Sequence, residues 1–202
     1  MPVGAQAAVV IASTESLVDP AAPQAIVEAS GQVDVLVANL AIPAPTTPAL
    51  DVDEDEWRAV FAALVDPLPR LCRAVLPQMV ARGGGKIVVM GSASALRGMK
   101  RASTYSAARG AQLAYVQALG VEMAPQRVQV NAIAQNFVDN PTYFPPEVQA
   151  NPRFQERLQR EVPLGRLVAA GEDAAFCAYL ASAAADCFVG QVFPMCGGWV
   201  PR

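Results

Sequence analysis

Gly85-Lys-Ile-Val-Val-Met-Gly-Ser92 decides the reading of this chain. Its apolar residues run consecutively from Ile87 to Met90 instead of alternating with polar ones, the pattern of a strand buried on both faces. Similar short runs at 8–12, 33–38, 128–133 and 191–195 join the one at 86–90 to predict five strands. Longer patterns between them predict helices over 21–29, 53–82, 103–124 and 171–184. Strands and helices in alternation imply an α/β fold, a doubly wound parallel sheet in three αβα layers, forming a single domain over residues 1–202. Asp53 with Glu56 has the spacing of a capping box, and Pro67, Pro69 and Pro77 are expected to interrupt or kink the helix that follows. The segment 136–162, rich in Pro, Asn and aromatic residues, breaks the alternation after a strand's carboxyl end, where α/β sheets build substrate lids.

The chain has 15 Lys and Arg against 18 Asp and Glu, a formal charge of -3, and no His. Without a basic run there is no footprint for nucleic acid or an anionic membrane, so the expected partner is a small molecule. The lack of His removes the commonest general base and zinc ligand; proton work falls to Tyr, Asp, Glu, Lys or Cys, and no metal is expected. Cys72, Cys177, Cys187 and Cys196 show no C-x-x-C spacing and read as buried thiols of a reduced compartment. Residues 1–6 lack the basic start and apolar stretch of a signal peptide, and no apolar run reaches spanning length, so a cytoplasmic protein is expected.

Tyr105-Ser-Ala-Ala-Arg109 carries the chemistry. Four residues apart on a helix, the phenol and the cation share one face, so the Arg charge favours a phenolate and makes Tyr105 a candidate base. Ser92, at the end of its apolar strand, is the candidate hydroxyl donor; Ser94 competes with it but lies further past the strand. Asn39 either closes a turn after its strand or belongs to the site. Residues 83–85 read as a helix stop rather than a phosphate loop, and Gly197 and Gly198 as a turn.

Val33-Asp-Val-Leu-Val-Ala-Asn39, Gly85 to Ser92, Tyr105-x-x-x-Arg109, Pro163-Leu-Gly-Arg166 and Gly190-Gln191 with Gly197-Gly198-Trp199 together resemble the short-chain dehydrogenase/reductase superfamily over nearly the whole chain. Ser, Tyr and Arg in place of Ser, Tyr and Lys mark the halohydrin dehalogenases within it. Arg73-Ala-Val-Leu-Pro77, Ile133-Ala-Gln135, Asn140-Pro-Thr-Tyr-Phe144 and Val162-Pro-Leu-Gly-Arg-Leu167 look like that family, nearest its B-type members. The resemblance implies a Rossmann-like fold, N-terminally shortened, because members carry a further strand and helix before the point where this chain starts. It implies catalysis by Ser92, Tyr105 and Arg109 without an organic cofactor, converting vicinal halohydrins to epoxides and, in reverse, opening epoxides with anions. The halide would sit at the turn of Ala134, Gln135, Asn136, Phe137 and Val138, held by backbone N–H groups, with Tyr143, Phe144 and Trp199 shaping the substrate side. The helices starting near Asp53 and Ser103 would pair subunits into a homotetramer.

The departures from a dehydrogenase matter as much. A dinucleotide site needs a Gly-rich turn after its first strand, whereas Ala12-Ser-Thr-Glu-Ser16 has no Gly and Glu15 repels phosphate. Leu64 stands where the superfamily's reductases place an Asn, and Ala134-Gln135 replaces the Pro-Gly turn that approaches nicotinamide. An NAD(P)-dependent oxidoreductase and a non-catalytic protein of the same fold remain the alternatives.

Overall fold

The computed structural model describes residues 8–11 and 17–200. The Gly-poor turn at 12–16 therefore lies outside the described residues. Five strands, β1 (Ala8–Ile11), β2 (Val35–Ala38), β3 (Gly85–Ser92), β4 (Val128–Gln135) and β5 (Val192–Met195), pair in parallel in the order β1-β2-β3-β4-β5. β3 and β4 are longer than their apolar runs, because each continues through the residues that reach the sheet's carboxyl edge. Their register sets Gly91 beside Ala134 and Ser92 beside Gln135.

Successive strand residues point to opposite faces, and both faces are covered. Ile87 and Val89 pack with Leu71, Cys72 and Val75 of α3 (Pro67–Arg82), Leu113 and Val116 of α5 (Ser103–Met123) and Val27 of α1 (Ala22–Ser30). Val88, Met90 and Ile133 pack on the other side with Leu180, Phe176 and Cys177 of α8 (Ala170–Leu180). Three layers result, with β3 buried between them. The strand order never reverses among the described residues; α8 alone of these four helices covers the second face.

The single helix expected over 53–82 is two, α2 (Glu54–Leu64) and α3. The break falls at 65–66 because Pro67 begins α3 at a position whose N–H would lack an intrahelical partner anyway; Pro77 then sits inside α3. Only half of the capping box forms: Asp53 accepts from the Glu56 N–H at 2.8 Å, while the Glu56 carboxylate takes the Thr47 hydroxyl instead. The segment 136–162 carries α6 (Pro146–Gln149) and α7 (Pro152–Glu161), the latter capped by Asn151. A short α4 (Ser94–Arg97) follows β3. Cys72 and Cys196 are buried, but Cys177 is half-buried and Cys187 exposed, so only two of the four thiols match the reading as core residues.

α5 approaches the β4–β5 connection so closely that a Cβ on Gly120 would lie 2.5 Å from the Gly190 Cα and 2.9 Å from the Val130 carbonyl oxygen. Both obstacles are backbone and cannot rotate away. Gly120→Ala is expected to destabilise the fold by about 3 kcal/mol, whereas Gly110→Ala, with open space on the same helix, should be neutral or stabilise by up to about 1 kcal/mol. Urea unfolding midpoints of the two variants check the contrast.

Candidate active site

The carboxyl ends of β3 and β4, the start of α5 and residues of the segment 136–162 enclose a cavity of about 420 Å³. Ser92, Tyr105 and Arg109 all line it, and all are buried, at 8%, 7% and 3% exposure. Tyr105, Ala108, Arg109, Gln112, Leu113 and Val116, among the nine buried residues of α5, recur at helical spacing, so one stripe delivers Tyr105 and Arg109 together. The Arg109 guanidinium lies over the Tyr105 ring, 5.0 Å from its centroid. Its Nη1 donates to the carbonyls of Leu40 (2.7 Å) and Met90 (3.3 Å) and to the Gln112 side-chain oxygen (3.0 Å). Contact is thus with the face of the phenol, and the cation is anchored by neutral acceptors. Ser92 Oγ is 2.9 Å from Ser94 Oγ and accepts from the Ser94 N–H at 3.2 Å. Ser94 is buried and does not line the cavity; it holds the Ser92 hydroxyl in place.

Of the residues expected at the halide and substrate side, Gln135, Asn136, Phe137, Val138, Tyr143 and Phe144 line the cavity. Ala134 does not: strand alternation turns its side chain into the core under α5. Trp199 does not either; it backs the lining, edge-on to Phe137 at 6.1 Å with the Arg97 guanidinium over its ring. Two N–H groups of this turn are already engaged: that of Asn136 donates to the Met195 carbonyl and that of Phe137 to the Asn136 side chain. Phe137 holds φ at 52°, a left-handed conformation that a bulky residue keeps only when its surroundings impose it. Here the Val138–Val168 bridge and the stack on Phe144 impose it. Tyr143 donates to the Ile42 carbonyl at 3.0 Å, and its phenol is raised by burial and by Tyr105 nearby, against the lowering effect of Arg109. Asn39, after β2, lines the cavity.

Asp173 and Arg157 also line the cavity and were not anticipated. An acid in the first turn of a helix is ordinary, and only the fold brings Asp173 to the Gln135 amide, which donates to it at 2.6 Å. The other carboxylate oxygen has no partner among the described residues. Burial pushes the Asp173 carboxyl up, opposed by the Gln135 hydrogen bond. A raised carboxyl binds its proton more tightly folded than unfolded, so its contribution to stability is full below the ordinary value of 3.8 and falls as pH rises through the folded value. Asp173→Asn, which keeps the acceptor for Gln135, should raise the melting temperature at pH 7, and the gain should vanish below that ordinary value.

Among the described residues no group of His, Cys, Asp or Glu could hold a metal ion, and no helix is long and apolar enough to cross a membrane.

A family model described as enoyl-(acyl carrier protein) reductase matches residues 9–200. A 2-keto-3-deoxy-L-fuconate dehydrogenase of Xanthomonas campestris pv. campestris is 34% identical over 186 residues, covering 90% of this chain; the chain spans 61% of that relative's length. Among solved structures, a dehalogenation enzyme is 35% identical with a TM-score of 0.84, covering 88% of this chain and 74% of its own. A halohydrin dehalogenase bound to ethyl (2S)-oxiran-2-ylacetate is 33% identical with the same TM-score, covering 87% and 74%. Sheet, helices and a match along nearly the whole length agree, and the chain belongs to the short-chain dehydrogenase/reductase superfamily.

Proposed function

We propose that this chain dehalogenates vicinal halohydrins without a nicotinamide cofactor, and opens epoxides with anions in reverse. The observation that carries this reading is the Arg109 guanidinium over the Tyr105 ring, bonded only to neutral acceptors, on a cavity wall shared with Ser92. Tyr105 as phenolate takes the substrate's hydroxyl proton while Ser92 donates a hydrogen bond to the same oxygen. That oxygen closes on the neighbouring carbon, the carbon–halogen bond breaks with its electron pair, and halide leaves toward the apolar wall of Phe137 and Phe144. Arg109 compensates the negative charge on Tyr105. The 33–35% identity to solved dehalogenases, one of them holding an epoxide, supports the assignment.

A nicotinamide dinucleotide fits these residues poorly. The cation that would hold ribose hydroxyls sends Nη1 inward to Leu40, Met90 and Gln112. The dehydrogenase among the relatives favours the oxidoreductase reading instead. An epoxide mixed with azide and nicotinamide-free protein separates the two: we expect an azido alcohol to form at a rate proportional to protein. No azido alcohol, together with saturable quenching of NADH or NADPH fluorescence, would favour the oxidoreductase.

A further inference from the structure

Gln112 is fully buried, at 0% exposure, on the α5 stripe that carries Tyr105 and Arg109. Burying an amide costs free energy unless its donor and acceptor are both used, and here both are. The side-chain oxygen accepts from Arg109 Nη1 at 3.0 Å, and Nε2 donates to the Leu64 carbonyl at 2.6 Å. Leu64 ends α2 immediately before the break at 65–66, so its carbonyl belongs to the set that a helix terminus leaves without an intrahelical donor. One side chain thus closes a helix end and anchors the cation.

What Gln112 is not matters equally. A buried cation ordinarily calls for a carboxylate, yet no ion pair to Arg109 forms among the described residues. Its Nη1 partners are two carbonyls and one amide. We propose that Gln112 is a positioning residue that fixes the Arg109 guanidinium against Tyr105 through a neutral contact, leaving the cation's charge for the oxygen of Tyr105. This rests on reading Tyr105 as the proton acceptor. The other ionisable groups lining the same cavity are Tyr143, Asp139, Arg157 and Asp173; from α2, Val60, Phe61 and Leu64 pack in the apolar cluster that holds Tyr105.

The test is a pH titration of phenol absorbance near 295 nm, each protein read against the same protein carrying Tyr105→Phe, alongside the pH profile of kcat/KM for bromide release. In Gln112→Glu a carboxylate replaces the amide at the same reach, and the Tyr105 titration should move up by about one pH unit, the scale of a nearby charge change. The rising limb of kcat/KM should move with it, kcat at neutral pH should fall about tenfold, and KM should stay near its original value. Gln112→Asn, a neutral amide too short to hold Nη1, should move the titration in the same direction, and it carries the test if the Glu variant does not fold. A merely structural role would lower the melting temperature and leave the titration where it was; folded variants that behave so overturn the proposal. Because the absorbance reading needs no substrate, a protein that releases no bromide but whose Tyr105 titration follows residue 112 would refute the dehalogenase reading and leave this coupling standing.

Discussion

Tyr105→Phe is expected to lower bromide release from a vicinal bromoalcohol by about a hundred- to ten-thousand-fold, the range a positioned general base supplies. The change removes one oxygen. The ring, 7% exposed and covered by the Arg109 guanidinium, keeps its packing, so the melting temperature should hardly move. Loss of activity with a preserved fold would locate the proton transfer on that oxygen. Ser92 is the poorer candidate, because its hydroxyl is engaged with the neutral hydroxyl of Ser94. Tyr143, the other phenol at the cavity, donates to the Ile42 carbonyl and is raised by burial, which makes it the poorer acceptor.

Arg109→Met should cost both activity and stability, for separable reasons. Removing the cation leaves the negative charge that develops on Tyr105 during proton transfer uncompensated, and bromide release at neutral pH should fall about ten- to a thousand-fold. Three buried acceptors, the carbonyls of Leu40 and Met90 and the Gln112 oxygen, would lose their donor at about 1–3 kcal/mol each where nothing replaces it. Arg109→Lys divides the two effects. It restores the charge as a compact ammonium but not the planar fork that lies over the ring, so it should recover part of the activity and leave a measurable stability deficit. Rates and denaturant midpoints of the two variants, taken together, check this; an Arg109→Met protein with undiminished activity would remove the cation from the chemistry.

The features legible in the sequence are those with local causes. The run from Ile87 to Met90 is apolar without alternation because α3 and α5 cover one side of β3 and α8 the other. Tyr105 and Arg109 are four residues apart on a helix and meet for that reason alone. Proximity along a strand does not say which face a side chain presents, so the Ala134 methyl faces the core, and an aromatic near a site can back the lining instead of forming it, as Trp199 does. Asp173 and Gln112 escaped for another reason: their partners Gln135 and Leu64 lie 38 and 48 residues away, and no local pattern marks such pairs. For Gln112 a signal did exist. A polar residue three positions after Arg109 falls on the inward stripe of α5, where an unpaired amide would be costly. The break between α2 and α3 was legible as prolines in a helical pattern, but its position depended on which proline could begin a helix.

The most direct measurement is the yield of bromide and epoxide when purified protein, stripped of nucleotides by charcoal, is incubated with a vicinal bromoalcohol. The prediction is one bromide and one epoxide per substrate consumed, at a rate proportional to protein and indifferent to added NAD or NADP. Turnover that stops without a nicotinamide and resumes with a ketone as product would contradict it.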